Sequence, residues 1–182
     1  GYYYSTRRTA EGLWQAIDRL KQAVELDPNF ALAHAQLADC YSLLNWYLEP
    51  PPADAWRLAK QSAVNAIKVN PNLAEARASI GFVKLHYDRD WEGAERELRI
   101  AIQLKPSAQV AHRWLAFSLS TIGKHEEALV EMQRAEKISP KSAVLATAIA
   151  NVLFFAGKYD EAISQCHRAI ELDSGAVSVH TV

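Results

Sequence analysis

A chain of 182 residues, 49% hydrophobic and 23% charged, has the composition of an ordinary soluble folded protein with enough apolar side chains for a sizeable core. Lys plus Arg number 20 and Asp plus Glu 21, a net charge of −1, which argues against nucleic acid or an anionic membrane as the main partner, since both require a basic face. No apolar run approaches the length of a membrane span. No signal peptide is visible, and a start at Gly1 rather than Met is expected of a fragment.

In chain order, Gly1–Tyr4 reads as the end of a helix and Ser5–Thr9 as a polar turn. Helix follows over Ala10–Leu26, with Leu13, Ala16, Ile17, Leu20, Ala23 and Val24 on one face. Asp27-Pro28-Asn29 ends it, because proline cannot continue the backbone ladder, and Asn29 is placed to cap the next helix. Phe30–Leu44 is that helix, with Leu37, Ala38 and Tyr41 on its packing face. Asn45–Pro52, NWYLEPPP, then interrupts. Three prolines favour an extended left-handed run and allow helix to restart only at the last of them. Helix resumes near Ala53, runs to Val69, and meets a second joint at Asn70-Pro71-Asn72. Leu73–Tyr87 and Trp91–Leu104 form the next pair around the turn Asp88-Arg89-Asp90. Ser107–Ile122 and His125–Ile138 pair around Gly123, and Ser142–Ala156 and Tyr159–Leu172 around Gly157. No stretch alternates with period two, so no sheet is expected.

The second helices share a mark. In Gly157–Asp173, the residues Tyr159, Ala162, Ile163, Cys166, Ala169, Ile170 and Leu172 mostly recur at the three- and four-residue steps of one apolar face, and Ala162 and Ala169 lie two turns apart on it. The same alanine pair occurs at Ala128/Ala135, Ala94/Ala101, Ala59/Ala66 and Ala16/Ala23, at steps of 34, 34, 35 and 43 residues counted backwards. Pro28, Pro71, Pro106 and Pro140 each follow the second alanine by five residues, and Ser174 stands at the fifth place. A fixed period of this size is the signature of a repeat array.

With its period, paired alanines and closing prolines, the chain resembles the tetratricopeptide repeat family, whose 34-residue helix–turn–helix unit is well known. The first-helix leucine mark is met by Leu37, Ile80, Leu115 and Ile149, and the small residue after it by Ala38, Gly81, Ala116 and Ala150. The tyrosine mark survives as Tyr41 but becomes Lys84, Leu119 and Leu153, while His34, Arg77, His112 and Ala146 occupy the tryptophan mark. The resemblance implies an all-α fold, a right-handed α-α superhelix of antiparallel helix pairs, with first helices lining the concave side. On this reading residues 1–182 form one array: a partial repeat over 1–28, repeats over 29–71, 72–106, 107–140 and 141–174, and the start of another helix over 175–182. The excess over the family period is about three residues in the first unit, nine in the second and one in the third. Large residues such as Trp91 and Leu98 are expected to fill the layers between stacked units.

Catalysis finds no footing in the pattern. The histidines His34, His86, His112, His125, His167 and His180 include no pair with metal spacing on one helix. Asp88, Asp90 and Glu92 alternate, but without the glycine and terminal glutamate of a calcium loop. No phosphate loop or nucleophile elbow is present, so neither an enzyme nor a cofactor is expected. Cys40 and Cys166 read as small helix-face residues three repeats apart, which fits a reducing compartment and a cytoplasmic protein.

What remains is binding. Positions implied by the family to line the groove are Leu32, Ala35, Asp39, Ser42 and Leu43 in the second unit, and Glu75, Ala78, Phe82, Leu85 and His86 in the third. The fourth unit supplies Val110, Arg113, Phe117, Ser120 and Thr121, and the fifth Val144, Thr147, Asn151, Phe154 and Phe155. The aromatics among them either face out as anchors for a partner or tuck against neighbouring helices. Members that clamp the acidic tails of chaperones use lysine and asparagine at such places. Here only Arg113 is basic, so the expected ligand is an apolar peptide or helix of a protein partner. Terminal repeats without caps could also pair copies of the chain. A second function class is a sensory or docking array of a larger regulatory protein, a transcriptional regulator, cyclase or kinase, as the resemblance to long-turned bacterial arrays implies. In the long insertion, Trp46, Tyr47 and Leu48 need a home: either folded back on the array, or in a partner's pocket.

Overall fold

The computed structural model describes residues 10–172. The features expected at Gly1–Thr9, at Ser174 and over 175–182 lie outside them. Among the described residues there are nine α-helices, one π turn and no strand. The helices are α1 Ala10–Leu26, α2 Ala31–Tyr47, α3 Ala55–Val69, α4 Ala74–Val83, α5 Trp91–Leu104, α6 Gln109–Thr121, α7 His125–Ile138, α8 Ala143–Phe155 and α9 Tyr159–Leu172, and the π turn Lys84–Asp88 follows α4. The chain divides into two compact units, Gly1–Pro106 and Ser107–Val182, at one of the expected repeat joints.

In the first unit each helix packs on the next, and α2 also packs on α4, so the first helices of successive repeats lie side by side. The alanine pairs explain how. Ala16, Ala59, Ala66, Ala94 and Ala101 are all fully buried, and their methyl groups set the close approach at which Leu13, Ile17, Leu37, Tyr41, Leu44 and Val83 interdigitate. In the second unit α6 packs on α7 and α8, and α8 on α7 and α9, around Leu115, Leu119, Met132, Leu145 and Val152. Cys40 is buried, and that burial pushes its thiol up to about 12, while Cys166 is half-buried; both are free.

The joints are built from the residue before the proline. Asp27 Oδ1 accepts from the Asn29 N–H at 2.9 Å, and Asn70 Oδ1 from the Asn72 N–H at 3.0 Å. Asn29 therefore does not cap α2 as expected; Phe30 holds that place with no side-chain bond. Two residues at the vacant tryptophan mark reach back to the same joints: His34 Nε2 hydrogen-bonds the Pro28 carbonyl at 3.0 Å, and Arg77 Nε donates to the Pro71 carbonyl at 2.8 Å.

Four other expectations need correction. The helix before the long insertion does not stop at Leu44 but runs one turn further, through Trp46 and Tyr47. Restart comes at Ala55, not Ala53, so Pro52 is not a first helical residue. Trp91 does not fill a layer; it starts α5 and is exposed, while Leu98 is fully buried. On α9, Ala162 and Ala169 are buried as expected, but Tyr159, Ile163 and Ile170 are exposed.

The third repeat's single extra residue has a visible consequence. In the fourth and fifth repeats the turn closes with a bond across five residues, Lys124 N–H to Leu119 O and Lys158 N–H to Leu153 O, both 2.9 Å. In the third the matching bond spans six, Asp90 N–H to Lys84 O at 3.0 Å, and the surplus is absorbed as the π turn where an unbroken helix to Tyr87 was expected. The residue two places before the next helix is left-handed in all three turns. It is Gly123 (φ 80°), Gly157 (φ 75°) and, in the third repeat, Arg89 (φ 57°). Glycine adopts that conformation freely, whereas a side chain there costs about 1–2 kcal/mol.

Candidate functional site

In the first unit the long insertion and the π turn meet. The extra helical turn of α2 carries Trp46, while Tyr47 and Leu48 are half-buried against the unit's core. Trp56, in the first turn of α3, faces the π turn: its ring centroid lies 6.1 Å from Phe82, 6.2 Å from His86 and 6.0 Å from Tyr87, nearly parallel to the last two at 19° and 12°. His86 also stands edge-on to Trp46 at 5.3 Å and lies 4.4 Å from Phe82. The imidazole is thus held among three rings. Burial, reinforced by the charge of Arg89, pushes its pKa down to about 4, so it is neutral at neutral pH.

Between these parts opens a cleft of about 400 Å³. Its walls are Trp46, Trp56, Pro51, Pro52 and Ala53, with His86 inside and Asn45 and Arg89 contributing polar groups. The Asn45 amide nitrogen donates to the carbonyls of Tyr41 and Ser42 at 3.1 and 3.2 Å, closing the last turn of α2. Beside Arg89, Asp88 is bonded by Lys60 at 2.7 Å and Asp90 by Lys84 at 2.8 Å. Asp90 also accepts from the Gly93 N–H, capping α5, and the bonds from Lys84 and Gly93 hold its carboxyl below its ordinary range.

The expected groove residues of this unit behave differently from one another. Phe82 is not an exposed aromatic: it is 3% exposed, sealed by Trp56 and His86. Ala35, Ser42, Ala78 and Leu85 are likewise buried. Asp39 is half-buried and accepts from the Ser79 hydroxyl at 2.7 Å, tying α2 to α4, and Leu43 is half-buried against the core.

In the second unit, Arg113 is not a surface cation. It is 8% exposed, and its guanidinium lies 4.3 Å from the centroid of the Trp114 ring, a cation–π contact. Ser120 is buried too. Phe117 is half-buried, 5.7 Å from Trp114, and Val110 is exposed at the start of α6. Thr147 and Asn151 are half-buried along α8, Thr147 donating to the Ala143 carbonyl. Phe154 and Phe155 at the end of α8 are 52% and 64% exposed, and Tyr159, which starts α9, is 59% exposed. The Phe154 ring meets Phe155 at 5.7 Å and Tyr159 at 5.6 Å, both in edge-to-face geometry.

Sequence reasoning assigned Trp46 and His86 to different features and passed over Arg89 and Tyr159. A signal for Arg89 was present, because it stands where the later repeats have Gly123 and Gly157.

The sequence matches no protein-family model and no curated protein. Among solved structures it is similar to a thermophilic tetratricopeptide repeat protein of Thermus thermophilus, TTC0263, at TM-score 0.75 and 16% identity over 92% of this chain and 86% of that one. It is also similar to YrrB, described as a tetratricopeptide repeat protein with an unusual peptide-binding site, at TM-score 0.57 and 17% identity over 91% of this chain and 80% of that one. A third is MamA, at TM-score 0.60 and 20% identity over 97% of each chain. The chain therefore has the all-α fold of the tetratricopeptide repeat proteins. No helix among the described residues is long and apolar enough to cross a membrane.

Proposed function

We propose that this chain is a non-catalytic protein–protein interaction module, which holds an apolar peptide or helix of a partner against its first helices. The observation that carries the reading is the cluster Phe154, Phe155 and Tyr159, three neighbouring rings each more than half exposed. Rings of this size bury well against a partner, and a contiguous exposed patch of them is what interaction surfaces have and ordinary surfaces lack. On this reading Val110, Phe117, Thr147 and Asn151, on the packed first helices α6 and α8, add apolar and uncharged groups to the surface. The peptide-binding site named for YrrB, on the same fold, favours the reading.

The test is selection of random peptides on phage against the whole chain. Selected peptides are expected to be rich in large apolar residues and to bind the double variant Phe154→Ala/Phe155→Ala at least tenfold more weakly, since anchors of this kind carry about 2 kcal/mol or more. Selected peptides that bind the variant as well as the parent would remove the support.

A second reading, self-assembly, rests on the exposure of Ile163 and Ile170 on α9. It predicts concentration-dependent sedimentation that Ile163→Glu abolishes; a strictly monomeric chain sets it aside. Either surface could serve a larger regulatory protein to which such an array is joined.

A further inference from the structure

The cleft of the first unit is lined by none of the residues of the surface just described, and three departures from the repeat converge on it. Nine extra residues build its walls with Trp46, Pro51 and Pro52. The one extra residue of the third repeat forms the π turn that carries His86 to it. A left-handed backbone position, glycine in the two following repeats, is here Arg89, whose side chain lines it. The two acids that flank Arg89 are each engaged by a lysine, so the five charges Lys60, Lys84, Asp88, Asp90 and Arg89 leave one net positive charge at its mouth. Glu49, the acid within the insertion, is not among the residues that line it.

A site's ligand follows from its walls. Two indole rings and two proline rings present flat apolar surfaces, which favour a planar apolar guest by stacking. A guanidinium at the mouth favours an anion, and carboxylate matches its fork of donors. The volume, about 400 Å³, accepts one aromatic group with its substituent. We infer that this cleft is a binding site for a carboxylate carried on an aromatic group, with the ring against the wall of Trp46, Trp56, Pro51 and Pro52 and the carboxylate on Arg89. Such a group can be a free aryl acid or the C-terminal aromatic residue of a peptide. The experiment separates the two.

The whole chain is titrated calorimetrically with phenylacetate and its neutral counterpart phenylacetamide, and with the tetrapeptide Gly-Gly-Gly-Phe as the free acid and as the amide. Tryptophan fluorescence provides a second signal, since these probes contain no indole. The acid is expected to bind at least tenfold more tightly than the amide. If both acids show the preference, a free aryl acid suffices; if only the tetrapeptide does, the source is a peptide terminus, and either result supports the site. Arg89→Gly is the decisive variant. Glycine suits the left-handed backbone, so the variant is expected to melt no lower than the parent while losing at least tenfold in affinity for the acid and nothing for the amide. Arg89→Asn, which also tolerates that conformation, is the second variant should Gly loosen the turn. Trp46→Ala is expected to weaken acid and amide alike. Equal affinity for acid and amide, undiminished acid binding in folded Arg89→Gly or Arg89→Asn, or no binding of any probe up to millimolar concentration overturns the inference. Phe154→Ala/Phe155→Ala leaves these titrations unchanged, so this site and the proposed peptide surface fail separately.

Discussion

Gly81 is an informative place to perturb the fold. It lies within α4, where glycine costs about 1 kcal/mol relative to alanine, so propensity alone makes Gly81→Ala stabilising. Packing opposes it. A Cβ built on Gly81 would sit 2.8 Å from Leu98 Cγ, 3.1 Å from Leu98 Cδ2 and 3.4 Å from the Ala94 carbonyl. Leu98 is fully buried, and Cγ is its branch point rather than a mobile end, so it cannot step aside cheaply. Overpacking of this kind costs about 1–3 kcal/mol. The net expectation is a loss of up to about 2 kcal/mol.

The repeats themselves say why glycine stands here. At the corresponding pairs of positions the other repeats have Ala38 with Ala63, Ala116 with Met132 and Ala150 with Cys166. Alanine in the first helix thus occurs opposite small or unbranched residues, and glycine opposite the branched leucine. A double-mutant cycle with Leu98→Met reads the coupling directly. The single change Leu98→Met costs under about 1.5 kcal/mol, and the double variant Gly81→Ala/Leu98→Met is expected to be more stable than the sum of the singles by about 1–2 kcal/mol. Urea unfolding followed by far-ultraviolet circular dichroism measures it. If Gly81→Ala alone raises stability by about 1 kcal/mol, or if the cycle gives no coupling, the steric account of the position is wrong.

Two further expectations concern buried polar groups. His86 is held neutral, with its pKa lowered from 6.5 to about 4 by burial and then by Arg89. The unfolded chain therefore binds more protons than the folded one between these values, so stability is lost as pH falls from about 6.5 to 4, by up to about 3 kcal/mol. His86→Gln is expected to flatten that part of the profile, and an unchanged acid limb in the variant would refute it. In the second unit His112 Nδ1 and Glu131 Oε2 lie 2.6 Å apart, both buried, with Arg134 bonded to the other carboxylate oxygen at 2.5 Å. Leaving a buried polar group without its bond costs about 1–3 kcal/mol, so Glu131→Ala is expected to lower the urea midpoint clearly and Glu131→Gln, which keeps an acceptor, less. Equal midpoints for the two variants would show that the pair contributes only packing.

The helices were legible because their marks are local. A proline five residues past an alanine pair ends a helix wherever it stands, and Ala59/Ala66 and Ala94/Ala101 are buried on the face that spacing picked out. Orientation at a repeat's edge was not legible, because it depends on what lies across from it. Phe82 and Phe154 both fall among the groove positions of the family pattern, yet Phe82 is sealed by Trp56 and His86, while Phe154 meets Phe155 and Tyr159 and stays exposed. No periodicity within α4 could announce Trp56, which comes from the preceding repeat, just past its insertion. Arg113 was misread for the same reason: its charge suggested solvent, and Trp114 beside it gave the guanidinium an aromatic face instead.

Insertion length was the better guide. Repeats four and five, which match the period, close their turns with the same five-residue bond and a left-handed glycine. Each surplus residue elsewhere had to go somewhere, and the backbone offers few places. One residue can widen a helical turn into a π turn, with weaker bonds over that turn. Nine residues can lengthen a helix by one turn and return along a proline-stiffened stretch of chain. Both surpluses fall in neighbouring repeats of the first unit, and the side chains they carry, Trp46, Pro51, Pro52, His86 and Arg89, line one cleft. A structural filler would need no arginine in a conformation that glycine adopts freely in the next two turns. That local conflict between residue and backbone is the physical reason to look for the chain's specificity here, where it departs from its own repeat, rather than in the parts that repeat.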